Sequence, residues 1–477
     1  MTNSPTLNTK NVRAIMPVLV MGTFLAYLNQ TLMNTALPKI MATFSITAAQ
    51  GQWLSNGYML VNGIMVPLTA YLIQRFTTRQ LYLWAMSVFA IGTLICGMAP
   101  SFFVLITGRM VQAAGAGVIA PLMNVSIMYM YDAHERGTAM GWVGLALNFA
   151  PALGPTVSGY LVQTHSWRWL FFLVAPLIIV DILFALKVLR NLTEAEKIPL
   201  NWSGVVLSSI GLGAMLLGFS NASSASIASW QVLGLTMLGA IVIGIFVYQQ
   251  QHTHVRLLNF NVFRYSRFNL SVIITSFLMM ALYGGMLLLP LYMQNLRGYG
   301  ALLSGLAMLP GAIVIAILSP LTGHLYDRYG AKYLSLIGNL ILFGGTIMLS
   351  RINLHSSFLW ITGAQSVRSL GLAFITMPLQ TEALNALPMD MIPDGSAMFT
   401  TIRQVAGSFG TAVLIGIMSV LQLNATNHLK LHHSLQYAQA HGALQATQNT
   451  YWVAAACVVI CCLLSFKLKG NDQPLPK

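Results

Sequence analysis

Two stretches of this chain, AYLIQRFTTRQLYL (Ala70–Leu83) and GHLYDRYGAKYLSL (Gly323–Leu336), read as two copies of one loop. Each joins one apolar run to the next. Each sets two basic residues four apart, Arg75 and Arg79 in the first, Arg328 and Lys332 in the second, at an offset of about 253 residues. A second landmark keeps nearly that offset: Arg109 and Arg368, each inside an apolar run, lie about 259 residues apart. Two landmarks at one spacing imply a parallel internal repeat, and hence a chain of two similar halves.

Composition says what the halves are made of. The chain has 477 residues, 56% apolar and 7% charged, against about 25% charged in a soluble domain. This excludes a soluble globular enzyme, a disordered chain and a disulfide scaffold, because too few charges exist to cover a water-facing surface. A spanning helix needs roughly 20 apolar residues, and runs of that length lie at 14–36, 52–74, 80–99, 103–130, 138–163 and 168–189. Six more lie at 269–294, 303–324, 333–350, 357–383, 396–422 and 451–468. Between them a hairpin pair is expected at 203–221 and 228–249. The expectation is an all-α membrane protein of fourteen spans, with an N-terminal half at 1–195, a two-helix insertion and linker at 196–255 and a C-terminal half at 256–477.

The net charge of +14 goes into orientation rather than into nucleic-acid binding. With both termini in the cytoplasm, Lys and Arg on the inner loops outnumber those on the outer loops by roughly three to one. One wrong span would scramble that bias. Trp53, Trp167, Trp169 and Trp230 fall near span ends as interfacial markers. Cys96, Cys457, Cys461 and Cys462 sit in apolar runs and read as packing residues. His428, His432, His433 and His441 fall in an outer loop before the last span and read as solvated. The polar start Met1–Asn11 lacks the features of a cleavable signal. There is no phosphate-binding loop, nucleophile elbow or HExxH motif, so neither ATP-driven transport nor enzymatic chemistry is expected, and no cofactor or metal.

Four motifs then carry a resemblance. LNQTLMNTALPKI (Leu28–Ile40) ends the first span. The basic loop occurs twice. GRMVQAAGAG (Gly108–Gly117) holds Arg109, Gln112, Gly115 and Gly117. GWVGLALNFAPALGPTVSGY (Gly141–Tyr160) holds Gly141, Gly154, Pro155 and Gly159. Over essentially its whole length the chain resembles the major facilitator superfamily, and within it the fourteen-span drug:proton antiporters, the EmrB/QacA-like multidrug exporters.

The resemblance implies two six-helix halves rocking around a midplane cavity. It also implies a bacterial cytoplasmic membrane, a monomer, protons and small amphiphiles as partners, and antibiotic resistance as a role. In the family's motifs the first-span pattern carries an Asp where this chain has Asn29, and that acid is associated with proton coupling. The loop carries an Asp where this chain has Gln74, but the second copy keeps Gly323, Asp327, Arg328, Gly330 and Lys332. The resemblance thus makes Arg75, Arg79, Asp327, Arg328 and Lys332 a conformational latch, weaker in the first copy. It makes Gly141, Gly154, Pro155 and Gly159 an export-type packing motif.

The chain's own acids narrow the proton site. Of ten, Asp132, Glu135, Glu194, Glu196, Asp327, Asp390, Asp394 and Asp472 fall toward the inner side. That leaves Asp181, in mid-span, and Glu382, in MPLQTEALNAL. An ionisable residue inside a span marks a site by default, so Asp181, Glu382 and Arg109 are the proton-coupling candidates. A fixed pair with a buried donor is the alternative for Asp181. Asn29, Asn34, Gln112, Arg368 and Arg403 are the cavity candidates, and Arg109 is expected to hydrogen-bond Asn29. Embedded basic residues exceed embedded acids, which disfavours dications and suits neutral, amphiphilic or anionic compounds. The function expected is export of amphiphilic drugs or toxic organic compounds by proton antiport. An uncoupled facilitator of an organic metabolite, and a lipid-handling or receptor-like protein on the same scaffold, remain open.

Overall fold

The computed structural model describes residues 9–192, 195–196, 198–221, 229–253, 255–431 and 434–468, without the side chains of 9–13, 34, 35, 48, 49, 52, 151, 152, 155, 283, 284, 286, 287 and 301. Among these, fourteen long α-helices follow one another and no strand occurs. They are α1 Thr9–Phe44, α2 Ala48–Arg75, α3 Thr78–Gly97, α4 Phe102–Met130, α5 Arg136–Thr164, α6 Trp169–Val188, α7 Trp202–Asn221, α8 Trp230–His252, α9 Ser266–Leu291, α10 Ala301–Tyr329, α11 Ala331–Ser350, α12 Phe358–Asn385, α13 Ile392–Lys430 and α14 Leu435–Ser465. Twelve are long and apolar enough to cross a bilayer. The other two are α5, diluted by glycines and Asn148, and α9, apolar over Ser266–Leu282.

Local chemistry explains the ends. Thr47 with Gln50, and Thr77 with Gln80, form capping boxes that open α2 and α3. Ser101, Ser357 and Ser434 cap α4, α12 and α14 by accepting the N–H three residues on. Gly330 has φ of 76°, a left-handed conformation that suits glycine and lets α10 turn into α11 with no intervening loop.

The two largest apolar cores among the described residues follow the two halves. One is built by α1–α6, with Met377, Leu384 and Ile392 reaching into it. The other is built by α9–α12 and α14, with Leu414 of α13. α5 packs along α10 and against α12, while α2 and α4 pack against α13, which makes a seam between the two bundles. α7 and α8 pair with each other, and α7 lies on both α2 and α13. The face at which α1 begins and α14 ends is called here the terminal face.

The structure corrects three sequence expectations. α1 runs to Phe44, α13 to Lys430, and α14 starts at Leu435 rather than near 451. The outer loop before the last span is therefore a pair of helix extensions. Their Ala, Leu and Gln are good helix formers, and Tyr437 stacks on His441, one turn on, at 3.9 Å. His428 and His441 lie on these extensions; His432 and His433 lie outside the described residues. Trp167 is not an interfacial marker but 2% exposed, packed on Phe44 and Phe171 with its indole N–H donating to Thr43.

Candidate functional site

The second loop copy reaches the other bundle. α5 starts at Glu135 without a cap from its own side chain, so its first N–H groups need acceptors from elsewhere. Asp327, near the end of α10, supplies them. Oδ1 accepts from Gly137 N–H at 2.7 Å, and Oδ2 accepts from the N–H and hydroxyl of Thr138, each at 2.7 Å. A carboxylate at a helix N-terminus also meets the positive end of the helix dipole. The approach is close because Gly137 and Gly323 meet backbone to backbone.

Beside this cap runs a second chain of contacts across the seam. Arg136 donates to Asn385 Oδ1 at 2.8 Å, Asn385 donates to the Tyr326 hydroxyl at 3.2 Å, and Tyr326 donates to Glu382 Oε2 at 3.0 Å. Glu382 Oε1 lies 4.0 Å from Arg267. Tyr129 donates to the Met389 carbonyl. Arg136, Asp327 and Tyr129 thus bridge the two bundles at the terminal face.

The first loop copy stays within its own surroundings. Arg75 donates to the Glu196 carbonyl at 3.4 Å and Arg79 to the Leu186 carbonyl at 2.6 Å, while the Gln74 carbonyl accepts from Glu196 N–H. Arg328 lies over the Tyr329 ring, and Lys332 is in the first turn of α11.

Arg109 is 1% exposed. Nη1 donates to Asn29 Oδ1 at 2.7 Å and to Gln112 Oε1 at 2.6 Å, and the guanidinium sits 4.2 Å over the Tyr58 ring. Gln112 in turn donates to Thr93. Arg368, equally buried, donates from Nη2 to the Ala281 carbonyl at 2.6 Å, while its Nε and Nη1 have no hydrogen-bond partner among the described residues. Its guanidinium packs on Gly285.

Arg403 differs from both, because it lies in the seam and is partly exposed. Nη2 donates to the Tyr27 hydroxyl at 3.1 Å and Nη1 to Gln380 Oε1 at 3.4 Å, and Gln380 donates to Asn124 Oδ1 at 2.9 Å. This chain joins α13 and α12 to α1 and α4.

Asp181 stands away from all of these. It is 4% exposed on α6, with Oδ2 accepting from the Tyr82 hydroxyl of α3 at 2.7 Å; that hydroxyl also lies 2.8 Å from the Val18 carbonyl. In α5, a Cβ at Gly141 would come 2.5 Å from the Ser319 carbonyl oxygen, and Gly154 packs on Thr31 of α1. Ser158 donates to the Leu32 carbonyl at 2.6 Å. Gly159 is looser, 4.0 Å from Leu302 by the same measure. The side chains of Asn34 and Pro155 lie outside the described residues.

Sequence reasoning did not single out Tyr27, Asn124, Arg136, Tyr326, Gln380 or Asn385 as site residues. Tyr326 lies inside the quoted loop and Gln380 and Asn385 inside the Glu382 segment. Polar residues in an apolar helix were the available signal for all three.

Two helical bundles joined by a seam, with a charged cap on one face, define a multi-pass membrane transporter rather than an enzyme. The chain belongs to the Major Facilitator Superfamily, whose profile matches residues 19–411, and to the EmrB/QacA-like drug exporters within it. It is 41% identical to an uncharacterized MFS-type transporter, YcnB, of Bacillus subtilis (strain 168), over 97% of this chain and 96% of the relative. It is 38% identical to the lincomycin resistance protein LmrB of Listeria monocytogenes, over 84% of this chain and 86% of the relative. A solved structure of the proton:xylose symporter XylE has the same fold, with a TM-score of 0.65 at 14% identity, covering 97% of this chain and 96% of that one.

Proposed function

We propose that this chain exports amphiphilic drugs or toxic organic compounds by alternating access, driven by proton influx, across a bacterial cytoplasmic membrane. In this reading the protein is a monomer, all fourteen helices span, both termini are cytoplasmic and the terminal face is the inner one. The observation that carries it is the Asp327 cap on α5 beside Glu382. A closed inner face, held by one bundle's carboxylate on the other's helix end, is a two-state element that a proton can bias.

Glu382 is the proton carrier in this scheme. Ionised, it attracts Arg267 and accepts from Tyr326, which keeps Asn385 oriented toward Arg136. Protonated, it loses the attraction to Arg267 and the inner face loosens. The compound then enters from the cytoplasm and the proton leaves to the same side. Asp181, held by Tyr82 between α3 and α6, serves packing. Asn29 is neutral, so coupling through the first span is absent and Arg109 stays pinned. That neutral residue also favours a second reading, uncoupled facilitation.

The test uses purified protein in liposomes with a pH-sensitive dye inside, an imposed pH gradient and a panel of lincosamides, phenols and organic anions. Substrate-dependent proton movement is expected, with Glu382→Gln losing uphill transport but keeping exchange, and Asp181→Asn keeping both. Full uphill transport by Glu382→Gln overturns the proton assignment. Flux without proton movement supports the second reading.

A further inference from the structure

Arg403 is a guanidinium in the seam that pairs with no carboxylate among the described residues. It lies eleven residues into α13, about 16 Å of helix rise from the terminal face, which is half of a hydrocarbon core about 30 Å thick. Its two partners, Tyr27 and Gln380, are neutral acceptors. Among the described residues, the acids buried in the protein are elsewhere: Asp181 between α3 and α6, Glu382 at the inner-face network, and Asp394 at the start of α13, accepting from Asn259 N–H. Arg403 is partly exposed, in contrast to the enclosure of Arg109 and Arg368.

The neighbours fit a particular chemistry. Phe24, Tyr27 and Thr31 recur at helical spacing on α1 and are all partly exposed, while Asn29 between them is buried toward Arg109. Tyr27 accepts from Arg403 and so keeps its own hydroxyl proton to donate. A fork of N–H donors and one O–H beside an aromatic ring suits an oxyanion on an apolar body.

We infer that Arg403, with Tyr27 positioned on it, is the specificity determinant of the seam, and that the transported compounds are amphiphilic anions, a carboxylate or sulfonate on an aromatic or aliphatic body. This rests on the exporter reading above. A cation entering the seam meets an uncompensated like charge, and a neutral compound leaves the guanidinium no better paired than before.

The probes are naphthalene-2-sulfonate, its trimethylammonium counterpart and the neutral naphthamide, which share one ring system and differ in head charge. Binding is measured by titration calorimetry on the full chain in lipid nanodiscs, and flux in liposomes. The anion is expected to bind at least tenfold tighter than the cation. Arg403→Gln should lose at least tenfold for the anion and nothing for the cation, Arg403→Lys should keep most of the preference, and Arg403→Glu should invert it. Tyr27→Phe, which keeps the ring, should lose a few-fold for the anion alone. Equal binding of all three probes, or an Arg403→Gln variant that melts like the parent and keeps anion affinity, overturns this inference. If the neutral or cationic probe is moved instead, the exporter reading stands and the anion inference falls. If none of the three binds or moves, both fall.

Discussion

The two halves carry the same landmarks, completed in opposite ways. In the N-terminal half the embedded arginine is better served: Arg109 has Asn29, Gln112 and the Tyr58 ring, and only its Nη2 has no hydrogen-bond partner among the described residues. In the C-terminal half Arg368 has one carbonyl, and two of its nitrogens have no partner among the described residues. The repeat explains the contrast. An offset of about 256 residues sets Asn29 against Gly285, and one of about 259 sets Gln112 against Gly371. Gly285 lies on the Arg368 guanidinium, and Gly371 packs on the α11 backbone at Gly338 and Leu342. The loops show the reverse. The C-terminal copy keeps Asp327 and caps the other bundle, whereas the N-terminal copy has Gln74 and its basic residues bond to carbonyls of α6 and the following linker. Each half carries one device that the other lacks, so neither the terminal-face cap nor the arginine network is symmetric.

The asymmetry is broken most severely at the latch. Asp327→Asn replaces a carboxylate that accepts three hydrogen bonds from α5. Transport should fall more than tenfold, and single cysteines at the inner face should become reachable by a membrane-impermeant maleimide. Unchanged labelling would show that the cap does not hold the face closed. Next come the two arginines, compared as methionines of similar reach. Arg109→Met strands the Asn29 and Gln112 acceptors and should cost about 2–4 kcal/mol. Arg368→Met removes a buried charge with unmet donors and should be neutral or raise the melting temperature. Equal losses in thermal melts of the two variants would mean the arginines are not differently served. The smallest effect belongs to Gln74→Asp, which restores an acid to the weaker loop. Maleimide labelling should shift modestly, with the inner face less and the outer face more reachable. An absence of shift would show that loop to be a connector only.

Much of this was legible in the residues. The apolar runs mark the helices, and the repeat pairs Arg75 with Arg328 and Arg109 with Arg368. The Asn29–Arg109 hydrogen bond followed from an arginine that had lost its usual acid. Helix ends were less legible, because α1, α13 and α14 continue past their apolar stretches in polar residues that still favour helix. The partner of Asp327 was hidden, since nothing along the chain says that α5 begins beside the end of α10. The placement of Asp181 was hidden for the same reason: its hydroxyl donor is 99 residues away on α3. Trp167 looked like an interfacial residue because periodicity cannot tell an indole facing lipid from one folded under Phe44.

The α7–α8 hairpin carries a consequence for how a compound reaches the seam. α7 covers one flank, with Leu216 seated against Gly63 of α2 and Phe219 edge-on to Phe409 of α13, while Gln404 of α13 donates to the Met59 carbonyl of α2. α8 turns Met237, Ile241, Ile245 and Tyr248 outward on the far side. The opposite flank is α5 against α10, backbone to backbone at Gly137 and Gly323. In the export reading proposed above, the α7–α8 hairpin screens the α2–α13 flank from the acyl chains, so a compound dissolved in the leaflet reaches the seam on that side only by passing α7.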